Sequence, residues 1–173
     1  MASLDIILEL GARILPDEEK SKLASLKNTW YTDYISRMKP DEILPGALEF
    51  ISDLKKAGFR VALGSASKNT PMILARVGMS SAFDAVADGN IVSRAKPDPE
   101  VFLRAAEMLG TEAARCIVFE DAAAGVEAAG NAGMACVGIG KRDILSGAQM
   151  VINGLYEMSM DKIAIIEKQM GYE

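Results

Sequence analysis

The stretch "CIVFEDAAAGVEAAGNAGMACVGIG", residues 116–140, decides the fold class. It reads as a short buried strand that ends in Glu120 and Asp121, followed by an alanine-rich helix and a second short strand. This order is typical of a parallel sheet covered by helices. Two adjacent carboxylates at a buried strand end are unfavourable unless a cation or hydrogen-bond donors compensate them. The stretch therefore indicates an α/β fold with a partner beside the two acids.

The rest of the chain divides into a helical part and an alternating part. Apolar spacing predicts helices over 3–14 and 17–38, with Ser3 and Asp17 as N-caps. Beyond residue 41, short strands alternate with helices and predict a three-layer α/β core with a parallel sheet. The strands are predicted over 59–65, 83–88, 116–121, 136–140 and 149–153, and the helices over 47–58, 69–78, 98–110, 122–133 and 159–170.

The composition argues against two classes of function, nucleic-acid binding and membrane insertion. The 173 residues carry a net charge of -5 and no long Lys/Arg cluster, which argues against a nucleic-acid surface. No apolar run approaches the roughly 20 residues that cross a bilayer, and the N-terminus is acidic where a signal peptide is basic. We therefore expect a cytoplasmic protein that binds a small molecule and does not bind a membrane. The absence of histidine leaves carboxylates, lysine or the substrate for acid–base chemistry.

Polar side chains follow three of the predicted strands, where ligands bind in open parallel sheets. The first group is "SASKN", residues 65–69, the second is Lys96 in "KPDPE", and the third is Glu120 with Asp121. Singly, these groups are explained by helix capping, a solvated lysine and the helix dipole. Together they are what a phosphate and Mg²⁺ need: hydroxyl and amide donors, a positive charge and hard oxygen ligands.

These motifs resemble the haloacid dehalogenase superfamily, in the subgroup with a small helical cap. The resemblance covers nearly the whole chain and makes residues 1–40 a partial helical cap and residues 41–173 the α/β core. With "ALGSASKN" and "LASLKNTWYTDYI", the sequence is most similar to the β-phosphoglucomutase family. That family interconverts β-glucose 1-phosphate and glucose 6-phosphate through a bisphosphate and an aspartyl-phosphate, with Mg²⁺.

The resemblance implies a role for each residue at the strand ends. Ser65 and the amide of Ala66 would hold the transferring phosphoryl group, and Lys96 would neutralise it. Glu120 and Asp121 would hold Mg²⁺, which with its phosphate would lie between the acids and Lys96. The other phosphate and the sugar would be met by Ser67, Lys68, Asn69 and, from the cap, Lys27.

The chain departs from the family at one place. The family begins with a central strand ending in Asp-x-Asp, which supplies the nucleophile and the general acid–base, and this sequence contains no Asp-x-Asp. Met1 aligns inside the cap. We therefore expect a shortened chain, by truncation, proteolysis or an internal start codon, with a stand-alone protein as the alternative. The missing strand would leave unpaired edges, so we expect either a gap between the strands at 61–64 and 117–119 or, through self-association, a strand of another chain that fills it.

Three functions remain open from the sequence. The "SASKN" motif favours a hexose-phosphate mutase that is inactive as this chain. A sugar-phosphate phosphatase of the same superfamily shares the phosphate site. A non-catalytic fragment or binding subunit would keep the phosphate and Mg²⁺ site and perform no transfer.

Overall fold

The computed structural model describes residues 7–8 and 11–171. Its helices are α1 (Asp17–Ser36), α2 (Ala47–Lys56), α3 (Thr70–Arg76), α4 (Glu100–Leu109), α5 (Ala123–Asn131) and α6 (Met160–Gln169). Its strands are β1 (Ala62–Gly64), β2 (Ala85–Ala87), β3 (Ile117–Glu120), β4 (Ala135–Ile139) and β5 (Met150–Ile152). Three short 3₁₀ turns cover Pro40–Glu42, Ala113–Arg115 and Leu155–Glu157.

All strands of the described residues are parallel to their neighbours, and they form two separate sheets. β1 pairs with β2, so that Leu63 lies opposite Val86. β4 lies between β3 and β5 in the second sheet. Within the described residues β1 does not pair with β3, in agreement with the predicted gap between them. The predicted α/β fold is confirmed, with a sheet divided in two.

Helices cover both faces because side chains alternate along the strands. Val118 of β3 packs into a core with buried residues of α4 and α5, among them Val101 and Val126. Its neighbours Ile117 and Phe119 belong to a cluster on α2 and α6. In that cluster the Phe119 ring meets Phe50 edge to face, with centroids 5.3 Å apart. The strand thus packs against helices on both sides, but Ile117 and Phe119 are only half-buried, so the predicted complete burial holds for one face.

Packing also joins the two sheets where no strand pairing does. Val61, just before β1, shares the α2–α6 cluster with Phe119 of β3. On the opposite face, Ala62 of β1 and Ala87 of β2 join the core that contains Val118. Side-chain contacts on both faces therefore bridge the gap between β1 and β3.

The N-terminal part follows the prediction less closely. Of the helix predicted over 3–14, Ile7 and Leu8 are helical, while residues 1–6, 9 and 10, including the predicted cap Ser3, lie outside the described residues. The predicted cap at Asp17 is wrong, because Pro16 precedes the helix and Asp17 is its first residue. Asp17 instead adds negative charge to the first turn, where the helix dipole favours it.

The end of α1 is fixed to the core by packing. Ile35 is completely buried. Beyond the helix, Met38 and Ile43 pack against Leu74 and Val77 at α3.

None of the described helices is long and apolar enough to cross a membrane.

Candidate active site

The strand-end residues form two contacting groups. One group joins the loop after β1 to the turn after β2, and the other joins Lys96 to the end of β3. Phe102 of α4 lies between them, because its ring contacts Gly64 at the end of β1 and lies 4.6 Å from the Lys96 ammonium. Ser65 follows Gly64 directly, so both groups are at the carboxyl edge of the strands.

The loop after β1 is held by its own serines. The Ser65 amide donates to Ala87 O (2.8 Å) and extends the pairing with β2 by one residue. The Ser67 amide then donates to the Ser65 hydroxyl (3.2 Å), and the Asn69 amide donates to the Ser67 hydroxyl (3.1 Å). The amides of Ala66 and Lys68 have no acceptor among the described residues. These two N–H groups are available to an anion.

Sequence reasoning missed the turn that supports this loop, Asp88–Asn90. The Gly89 amide donates to Ser67 O (3.3 Å), and the Asn90 side chain donates to Lys68 O (3.2 Å). Asp88 is buried and accepts both the amide and the side-chain N–H of Asn90. A side chain at Gly89 would collide with the Ala66 carbonyl. The signal was present, since "DGN" directly after a strand is a turn sequence.

The Lys96–Glu120 ion pair is the centre of the second group. Both side chains are largely buried, with 19% and 8% of their surface exposed. The other carboxylate oxygen of Glu120 accepts the amides of Asp121 (3.1 Å) and Ala122 (3.3 Å) at the start of α5. Glu120 is therefore compensated by a cation and two donors of the chain itself. We expected a metal and phosphate between Lys96 and the acids, whereas the structure has Lys96 directly on Glu120.

The Cys136 thiol near this ion pair is buried. Burial, followed by the negative charge of Glu120, raises the pKa of the neighbouring Cys136 thiol to about 11. Gly125, one turn into α5, has no room for a Cβ because the Glu120 carboxylate occupies that space. The alanine-rich helix therefore carries a glycine where the acid lies against it.

Asp121 differs from Glu120 in being exposed, and its carboxylate has no partner within the described residues. The described residues hold no group of three or more His, Cys, Asp or Glu side chains that could form a metal cage. Mg²⁺ does not need one, because it binds through one or two carboxylates and takes its other ligands from water and phosphate. An open Asp121 beside Glu120 fits that donor set, and their role as metal ligands remains a prediction.

The loop that carries Lys96 is anchored by Glu100, the first residue of α4. Its carboxylate accepts the amides of Ser93 (3.0 Å) and Arg94 (2.6 Å). The Arg94 amide, more than the other donors, holds the pKa of Glu100 below its usual range. Asp98 caps the same helix by accepting the Glu100 amide (2.9 Å). Asp98 and Glu100 thus hold the chain on both sides of Lys96 in place. From the sequence alone, Lys96 was also compatible with a solvated loop.

A polar contact joins α1 to the loop after β1. The Asn69 side chain donates to the Asn28 side chain on α1 (3.3 Å). Lys27 precedes Asn28 on this helix, so the contact brings the predicted sugar-binding residue near the predicted phosphate loop. The predicted roles of Lys27, Ser67, Lys68 and Asn69 stay predictions.

Sequence and structure comparisons agree on the family. A sequence model described as haloacid dehalogenase-like hydrolase matches residues 3–133. The chain belongs to the haloacid dehalogenase-like hydrolase family. It is 36% identical over 161 residues to β-phosphoglucomutase of Bacillus subtilis (strain 168). The aligned segment covers 92% of this chain and 71% of that protein.

Two further relatives bear on the function. The crystal structure of β-phosphoglucomutase from Clostridium difficile superposes with a TM-score of 0.89 at 35% identity, over 97% of this chain and 76% of that one. Fructose-1-phosphate phosphatase YqaB of Escherichia coli (strain K12) is 40% identical over 79 residues, 46% of this chain and 42% of that protein. The family therefore includes both phosphomutases and phosphatases of sugar phosphates.

A methyl group at position 125 tests the packing around Glu120. We expect Gly125→Ala to push the carboxylate off Lys96 and to lower the free energy of unfolding by about 3 kcal/mol, as for a broken buried ion pair. Gly130→Ala is the matched control, since Gly130 lies on the same helix with open space around it and should gain up to about 1 kcal/mol. Urea unfolding followed by circular dichroism measures both, and equal effects would contradict the contact.

A second prediction concerns acid pH and Glu100. Its depressed pKa means that its contribution to stability is present above the usual value of 4.5 and is lost as the pH falls through the lower, folded-state pKa. Glu100→Gln should therefore be less stable than wild type at pH 7, and the difference should shrink steadily below pH 4.5. Thermal unfolding from pH 7 to 3 measures this, and a difference that does not depend on pH would refute it.

Proposed function

We propose that this chain carries the phosphate- and magnesium-binding part of a β-phosphoglucomutase-type enzyme, which acts on β-glucose 1-phosphate and glucose 6-phosphate. The observation that carries the proposal is the pairing at the strand ends: a largely buried lysine on an acid at the end of β3, linked through Phe102 to a loop after β1 in which two amides have no acceptor among the described residues. The 36% identity to the Bacillus subtilis β-phosphoglucomutase supports the choice of sugar phosphate.

Each residue of the site has a distinct task in this proposal. The amides of Ala66 and Lys68 and the Ser65 hydroxyl donate to phosphate oxygens, because all three lie on one short loop. Lys96 brings a largely buried positive charge, which is worth more there than in water. Glu120 and Asp121 would hold Mg²⁺, whose charge offsets that of the phosphate oxygens. Phe102 keeps the Lys96 ammonium at this edge by a cation–π contact.

The proposal limits what the 173-residue chain does alone. The sequence has no Asp-x-Asp, and Asp17, Asp33 and Asp41 lie on α1 or a 3₁₀ turn and not at a strand end. Electrostatic stabilisation and positioning remain without a nucleophile to accept the phosphoryl group. We therefore expect this chain to bind phosphate with Mg²⁺ and to turn over neither β-glucose 1-phosphate nor a generic phosphate ester above background.

Binding is tested by calorimetric titration of the chain with inorganic phosphate, with and without Mg²⁺. Ser65→Ala should weaken phosphate binding about tenfold to a hundredfold, because it removes a hydrogen bond to a charged group. Asp121→Ala should abolish the gain in affinity that Mg²⁺ gives, whereas Asp53→Ala, at an exposed acid paired with Lys56, should change neither. Wild-type affinity in both site variants would refute the proposed site.

Turnover separates the three functions. A chain lengthened at its N-terminus by a strand ending in Asp-x-Asp should form glucose 6-phosphate from β-glucose 1-phosphate with catalytic bisphosphate and Mg²⁺. Hydrolysis of other sugar phosphates without that isomerisation would move the function to a phosphatase. Phosphate binding with no turnover in either length would support the binding subunit, and robust turnover by the 173-residue chain would contradict the need for the added strand.

A further inference from the structure

The hydroxyl of Thr70 contacts two groups of the loop after β1. Thr70 is the first residue of α3, and only 3% of its surface is exposed. Its hydroxyl lies 2.8 Å from Ser67 O and 2.9 Å from the Ser65 hydroxyl oxygen. It thus joins the start of the helix to the Ser65 hydroxyl, on the same loop as the amides of Ala66 and Lys68.

Counting hydrogens gives two arrangements of this pair. The Thr70 hydroxyl has one hydrogen and two acceptors within reach. If that hydrogen goes to Ser67 O, the Ser65 hydroxyl donates to Thr70 and its own hydrogen is occupied. If it goes to Ser65, the Ser65 oxygen accepts from Thr70 and from the Ser67 amide, and its hydrogen is free to point away from the loop.

The second arrangement is the one that suits an anion, and the loop can adopt it without stranding a buried group. Ser67 O keeps two backbone donors, the amides of Gly89 (3.3 Å) and Thr70 (3.4 Å), when the Thr70 hydroxyl turns away. Ser65 then has both of its lone pairs engaged and one hydrogen to give. An approaching phosphate oxygen, as an acceptor, favours this arrangement.

We propose that Thr70 is a positioning residue, whose hydroxyl orients the Ser65 hydroxyl toward a bound phosphate group. The inference rests on the proposed phosphate site and adds a residue that does not touch the ligand. Without the Thr70 hydroxyl, the Ser65 hydroxyl keeps the Ser67 amide as its one partner among the described residues, and it loses a defined direction.

Two substitutions separate this role from packing. Thr70→Val keeps the shape and the buried methyl group but removes the hydroxyl, whereas Thr70→Ser keeps the hydroxyl and removes the methyl. A positioning role predicts that the valine variant binds inorganic phosphate about threefold to tenfold more weakly and that the serine variant binds like wild type. A packing role predicts that the serine variant is less stable than the valine variant and that the two variants bind phosphate equally well.

The experiment uses the 173-residue chain and three readouts. Calorimetry with inorganic phosphate and Mg²⁺ gives the affinity, urea unfolding gives the stability, and NMR hydrogen exchange of the Ser67 amide reports whether Ser65 is fixed without ligand. Thr111→Val is the matched control, since it removes a threonine hydroxyl bonded to Arg60 (2.7 Å) before β1. It should leave both affinity and Ser67 exchange unchanged.

We expect faster Ser67 exchange and weaker phosphate binding in Thr70→Val, and wild-type values of both in Thr70→Ser. Wild-type affinity in the valine variant, or equal losses in the two variants, would overturn the positioning role. If wild type binds no phosphate, the proposed function fails, and exchange decides the positioning of Ser65 by itself. Unchanged Ser67 exchange in Thr70→Val would then overturn this role too.

Discussion

The contact between Lys96 and Glu120 is the interaction on which the rest of the site depends. A carboxylate with 8% of its surface exposed at the end of β3 is unfavourable without compensation, and it receives a cation and two backbone donors. The contact fixes the "KPDPE" loop to the second sheet. Phe102 links Lys96 to the first sheet, because its ring packs against both Lys96 and Gly64. Because β1 and β3 do not pair, these side chains join the two sheets at the edge where ligands bind.

The proposed anion site in the loop after β1 consists mainly of backbone groups. Donors from Gly89, Asn90 and Thr70 engage the carbonyls of Ser67 and Lys68. The amides of Ala66 and Lys68 are left without an acceptor among the described residues. In the proposed function, a small anion would be recognised by these donors and by Lys96, which is compatible with a chain whose net charge is -5.

The sequence predicted the strands and most helices because their apolar periods are unambiguous, and it predicted the strand-end residues because parallel strands end at one edge. It did not predict that Lys96 would lie on Glu120, because the two residues are 24 positions apart. The position of Lys96 also depends on a loop that Glu100 holds in place. It also missed the Asp88–Asn90 turn, whose sequence signals a turn but not the loop it supports. Local patterns specify elements, whereas contacts between loops follow from packing that no single stretch encodes.

The most direct test is a double-mutant cycle on Lys96 and Glu120, with the free energy of unfolding as the readout. Lys96→Met should destabilise the chain by about 3–5 kcal/mol, because it leaves a buried carboxylate without its cation. Combined with Glu120→Gln, the loss should be at least about 2 kcal/mol smaller than the sum of the two single losses. Additive losses would contradict the claim that this ion pair holds the strand ends together.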